Sequence, residues 1–107
     1  MTTARYSTSI DSVSVGTTVA SSATIPFGDF ETGRVHVPVG SALATLTWHA
    51  SLSSDGVYLP ARNESNTAVT TTVVAGQSYP IPAALVGSRF LRITGDVAGQ
   101  VGVTMKD

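Results

Sequence analysis

Apolar and polar residues alternate with a period of two along much of this chain, the spacing that sends successive side chains to opposite faces of a β-strand. The alternation is clearest around Trp48, where Leu46, Trp48 and Ala50 share one face and Thr47 and His49 the other. Asp55-Gly56 follows as a tight turn and Val57-Tyr58-Leu59, stopped by Pro60, supplies a return strand, so a hairpin over residues 46–60 is expected. Its tryptophan is the only one in the chain. Trp can bury more apolar area than any other residue here, so Trp48 is assigned as the core anchor over which two sheets close.

The rest of the chain reads in the same way. Residues 1–12 are rich in Ser and Thr, with a faint alternation at Tyr6, Thr8 and Ile10, and are expected to form a polar N-terminal arm or an edge strand. Residues 13–107 are then a single β-sandwich domain. Val19, Ala23, Ile25 and Phe27 fall on one face and predict a strand with Pro26 near its end, where a missing N–H is tolerated. The stretch 28–33 is bounded by glycines and reads as a loop. In Arg34-Val35-His36-Val37-Pro38-Val39 the three valines point inward and Arg34 and His36 outward, and Pro38 places the strand at an edge or ends it.

Residues 62–66 form a polar loop, and the β-branched run 69–74 predicts a strand. Tyr79-Pro80-Ile81-Pro82 is extended, because a residue before proline is pushed out of the helical region. Only residues 83–86 look helical, one turn closed by Gly87. Residues 89–94 and 100–106 alternate again and read as a second hairpin, with Leu91, Ile93, Val101, Val103 and Met105 inward. Seven to eight short strands with at most one short helical turn predict an all-β fold, an antiparallel β-sandwich of jelly-roll-like kind.

Composition narrows what such a domain can do. At 107 residues there is room for one core. A net charge of −1, with five arginines scattered along the chain and a single lysine, gives no field that gathers phosphates, so no nucleic-acid partner is expected. No apolar run approaches the ~18 residues of a membrane span, so no membrane partner is expected either. Cysteine is absent, which removes disulfides, thiolate nucleophiles and sulfur-based zinc sites. Residues 1–7 lack the apolar core of a secretion signal, so the chain is expected to be made and folded in a cytoplasm. Only 12% of residues are charged, and surfaces of Ser, Thr and Ala suit contact with other subunits.

Catalytic chemistry finds no foothold. The chain offers two His, five Asp and two Glu, with no Gly-x-Ser-x-Gly elbow and no phosphate-cradling glycine pattern. His36 and His49 could approach one another only if their strands paired, and further metal ligands would have to come from loops. Asp29 and Glu31 lack the string of oxygen ligands a calcium loop needs. No catalytic residue, metal or cofactor is therefore assigned, and the protein is not expected to be an enzyme. Asn63-Glu64-Ser65 matches a glycosylation acceptor, a match taken as accidental. Candidate partner contacts are the outward residues Arg34, His36 and His49 and, on the arm, Arg5 and Tyr6. Sugar recognition is the alternative: Tyr58 and Tyr79 are placed for exposure, although Trp48 alternates onto the apolar face.

Trp48-His49-Ala50-Ser51, Asp55-Gly56, Tyr58-Leu59-Pro60, then Tyr79-Pro80-Ile81-Pro82 and Arg89-Phe90-Leu91-Arg92-Ile93 together resemble, in order and spacing, small all-β structural proteins of tailed bacteriophages. The resemblance spans roughly residues 25 to 105. It implies a virion protein, a capsid decoration or cement protein or a tail accessory protein, assembled in the bacterial host cytoplasm. As partners it implies the major capsid protein or other virion proteins, and a homo-oligomer, often a trimer. A carbohydrate-binding β-sandwich module, free or host-contacting on a virion, is the second expectation.

Overall fold

The computed structural model describes residues 7–28 and 30–106. Its strands are β1 (Ser7–Val15), β2 (Ile25–Pro26), β3 (Thr32–His36), β4 (Thr45–Ser51), β5 (Leu59–Pro60), β6 (Thr70–Thr72), β7 (Ser78–Pro80), β8 (Phe90–Gly95) and β9 (Gly99–Lys106), with one 3-10 turn at Ala83–Leu85. They form two antiparallel sheets. The first has the order β1-β9-β3-β7; the second has the order β2-β8-β4-β5, with β6 also on β4.

Strands β5 and β6 are two pieces of one strand. Leu59 pairs with Ala50 and Pro60 with His49, while Thr70 pairs with Thr47 and Thr71 with Leu46. Between them Ala61 donates its N–H to the Trp48 carbonyl and the Trp48 N–H donates to Val69, so the ladder closes over an excursion at residues 62–68. Asn63 organises that excursion by accepting from the N–H groups of Ser65 and Thr67, and Asn66 takes a φ of 59° at its tip. With β5 and β6 counted as one, the two four-stranded sheets have the winding of a double-sheet jelly roll. The fold class predicted from alternation is the one observed.

The core lies between the sheets. Val13, Val15, Val35, Val101, Val103 and Met105 face inward from the first sheet, and Ile25, Leu46, Trp48, Leu91 and Ile93 from the second. Trp48 is 0% exposed, and its indole N–H donates to Thr71 Oγ1 at 3.0 Å, so burying the ring leaves no donor unpaired.

Four local expectations are corrected. Strands β8 and β9 both turn their apolar residues inward as predicted, but they are not a hairpin. β8 pairs with β2 and β4, β9 pairs with β1 and β3, and the segment between them crosses from one sheet to the other. Gly95 stands at that crossing because a Cβ there would lie 2.6 Å from Leu43 Cδ2 and 2.7 Å from the Val97 carbonyl oxygen. The Asp55-Gly56 turn does not join β4 directly to β5, since residues 52–58 form a longer loop. The strand expected from Val19 to Phe27 shrinks to Ile25–Pro26, because residues 17–22 curl into turns held by Thr18, Ser21 and Ser22. Finally, Val39 is 90% exposed, not inward. The β3 ladder ends near Val37, which exchanges hydrogen bonds with Gln77 and Gly76, and Gly40 then turns the chain at φ +86°.

Candidate functional site

The solvent faces of the two sheets hold the outward residues singled out from the sequence. On the first sheet, cross-strand pairing sets Arg34 opposite Thr104, Thr32 opposite Lys106 and His36 opposite Gly102. Alternation sends these side chains outward while Val35, Val103 and Met105 point in. Arg34 is held in place: its Nε donates to Ser78 Oγ at 2.9 Å and its Nη2 to the Ser78 carbonyl at 3.1 Å, Ser78 being on the edge strand β7. His36 Nε2 lies 3.3 Å from Thr104 Oγ1. Around Arg34 the face dips into a shallow groove of about 530 Å³ that runs from Ser9 on β1 to Pro80 on β7 and includes Lys106.

Gly33 sits beneath this groove with its missing side chain directed at the core. A Cβ there would overlap the Thr104 carbonyl oxygen and come within 2.7 Å of Ile81 Cδ1, so the close approach of β3 to β9 depends on glycine.

On the second sheet the outward residues are tied to one another. Arg92 Nε donates to Thr24 Oγ1 at 3.0 Å and its Nη1 to the Val19 carbonyl at 3.0 Å, and its guanidinium carbon lies 4.3 Å above the Tyr58 ring centre. The Tyr58 hydroxyl donates to the Ser54 carbonyl at 3.0 Å and lies 3.2 Å from Thr24 Oγ1. Tyr58 is therefore buried, which corrects its expected exposure. Sequence alternation missed it because Tyr58 belongs to the 52–58 loop, whose path is fixed by Arg92 and Thr24. His49 faces Arg92 across the β4–β8 ladder and is half-buried, with Nε2 3.0 Å from Thr94 Oγ1 and a buried Nδ1 that has no hydrogen-bond partner. Burial pushes its pKa below the ordinary histidine value.

No protein-family model matches the chain, and no curated protein and no solved structure matches it.

The structure thus separates the predicted contacts. Arg34 and His36 share the open face of the first sheet, His49 lies on the opposite side of the sandwich, and Arg5 and Tyr6 lie outside the described residues. β3 and β4 belong to different sheets, so the two histidines cannot meet. Among the described residues no three His, Asp or Glu side chains cluster to hold a metal.

Two further features carried no sequence signal beyond turn composition. Asp96 Oδ1 accepts from the N–H groups of Ala44 and Thr45, at 2.9 and 3.0 Å, clamping the sheet-to-sheet crossing onto the start of β4. Those two bonds hold its carboxyl below the usual carboxylate range. The second feature is a set of exposed aliphatic side chains at the two ends of the sandwich. Val39 and Val74 lie at the end where β4 starts, and Leu52 (85% exposed), Val57, Leu59 and Val86 at the end where it finishes. Leu52, Val57 and Leu59 border a depression of about 440 Å³ shared with residues 87–89.

Proposed function

We propose that this protein is a non-enzymatic structural protein of a virion, a decoration or cement protein that binds the assembled head of a tailed phage and strengthens it. The observation that carries the reading is the set of exposed aliphatics. Leu52, Val57 and Leu59 border one depression at one end of a small, weakly charged sandwich, and Val39 and Val74 are exposed at the other. Apolar side chains grouped in this way mark protein contacts, and placing them at both ends suits a subunit that bridges neighbours on a lattice. Many individually weak attachments on a repeating shell then sum to firm binding. Jelly rolls serve as capsid domains and also as lectins, so the fold is compatible with the role without selecting it.

The ring positions weigh against the carbohydrate-binding alternative. Trp48 and Tyr58 are buried and hydrogen-bonded, so neither offers a free face for a sugar to stack on. A homo-oligomer, with a trimer as the favoured form, belongs to the same proposal.

Purified protein added to heads that lack it should bind them at regular positions and raise the temperature at which they burst. Replacing Leu52 and Val57 by Ser should abolish that binding while leaving the fold intact, since both side chains are exposed. Unchanged heat resistance of fully loaded heads would overturn the cement role.

A further inference from the structure

The geometry points to a carboxylate-binding groove on the outer face of the first sheet, built on Arg34 and Lys106 and fitted to an extended acidic segment of a partner protein. Arg34 and Lys106 stand on neighbouring strands, diagonally across the ladder from one another, because Arg34 is opposite Thr104 and Lys106 lies two residues beyond it on the same face. Arg34 leans towards Ser78 on β7, on the other side of β3 from Lys106, so the two cations face separate carboxylates of an extended segment. Arg34 is already oriented, since its two bonds to Ser78 fix the plane of the guanidinium and leave Nη1 for a ligand. Ser9, Thr32 and Thr104 add hydroxyls that can donate to the same oxygens or accept from a peptide N–H.

The lining settles which anion suits it. Among the described residues that line the groove there is no carboxylate to neutralise the cations and no aromatic ring on which a sugar could stack. Two cations on a chain of net charge −1 give too little field for a nucleic acid or a sulfated glycan, which need a run of positive charge. The groove is open and crosses from β1 to β7, so it accepts a strand-like segment lying along the sheet better than a compact small molecule. Acidic side chains presented by an extended peptide meet all of these conditions. This chemistry stands whether or not the partner is a capsid shell.

The test is a titration of the isotope-labelled full chain, followed by amide NMR shifts, with a hexapeptide of alternating Glu and Gly. Its Gln counterpart and a sulfated oligosaccharide are titrated in parallel. Two charge-assisted contacts predict a dissociation constant on the order of 1 mM, with shifts centred on residues 32–34 and 104–106. Affinity should fall as salt is added. Arg34→Gln and Lys106→Gln should each weaken binding about tenfold, and Arg62→Gln, off the groove, should not change it. Equal binding of the Gln peptide, equal loss in Arg62→Gln, or preference for the sulfated oligosaccharide would each overturn the inference. No particles are used, so failure here leaves the lattice role standing, and failure of head binding leaves the groove standing.

Discussion

Arg92 and Arg34 occupy equivalent places, each pointing away from the core from an inner strand of one of the two sheets. Their surroundings differ because of what the chain lays over each sheet. The segment around Val19–Thr24 and the loop 52–58 fold back over the second sheet, so Arg92 bonds Val19 and Thr24 and stacks on Tyr58. Among the described residues Arg34 is braced by Ser78 on the adjacent strand, and it faces an open groove. One arginine is tied into the fold and the other lines an open groove, although alternation alone puts both outside. Burial of a cation's partners, more than the cation itself, separates a stabilising residue from a binding one.

The largest effect should come from the core both faces share. Trp48→Ala is expected to cost about 3–5 kcal/mol, much of the stability of a domain this size, and urea denaturation followed by tyrosine fluorescence should show the loss. A variant that unfolds at the same urea concentration would show that the two sheets do not depend on this ring. Next comes the contrast itself. Arg92→Ala should destabilise by about 1–3 kcal/mol through lost hydrogen bonds and the lost ring contact, while Arg34→Ala should cost under about 0.5 kcal/mol. Equal losses in thermal melts would remove the distinction drawn between the faces.

His49 sharpens the comparison through pH. Its folded pKa is depressed by burial, so the unfolded chain binds the proton more readily. Stability is therefore full above the unfolded value of about 6.5 and declines as pH falls below it towards the folded value. Denaturation midpoints between about pH 7 and 5 should show this decline, and His49→Gln should flatten it. The smallest effect belongs to Arg34→Gln and Lys106→Gln, which should leave the melting temperature within about a degree or two while weakening acidic-peptide binding.

Much of the framework was legible in the chain because burial follows a local rule. A residue's parity within an alternating run tells which face it takes, and Leu46, Trp48, Val35, Leu91, Ile93, Val101, Val103 and Met105 all obeyed it. The rule failed where strands end. Val39 continues the parity of Val35 and Val37 but lies past the β3 ladder, where no partner strand holds the chain flat. It failed again at Tyr58, in a loop that has no parity. For the candidate site, the pattern placed Arg34 and His36 together on one strand face; it could not place Lys106 beside them, because that depends on the pairing of β3 with β9.

By itself, then, the sequence determined an all-β sandwich, the identity of most core residues and the place of Trp48 at its centre. Those depend on side-chain periodicity, which is set by backbone geometry over a few residues. Tertiary structure alone decided that β8 and β9 belong to opposite sheets, since each has one apolar face and periodicity is satisfied whether they pair side by side or meet across the core. It also decided which outer face is covered. The bond from Arg92 to Val19 joins residues 73 positions apart, and no local pattern records where so distant a segment returns.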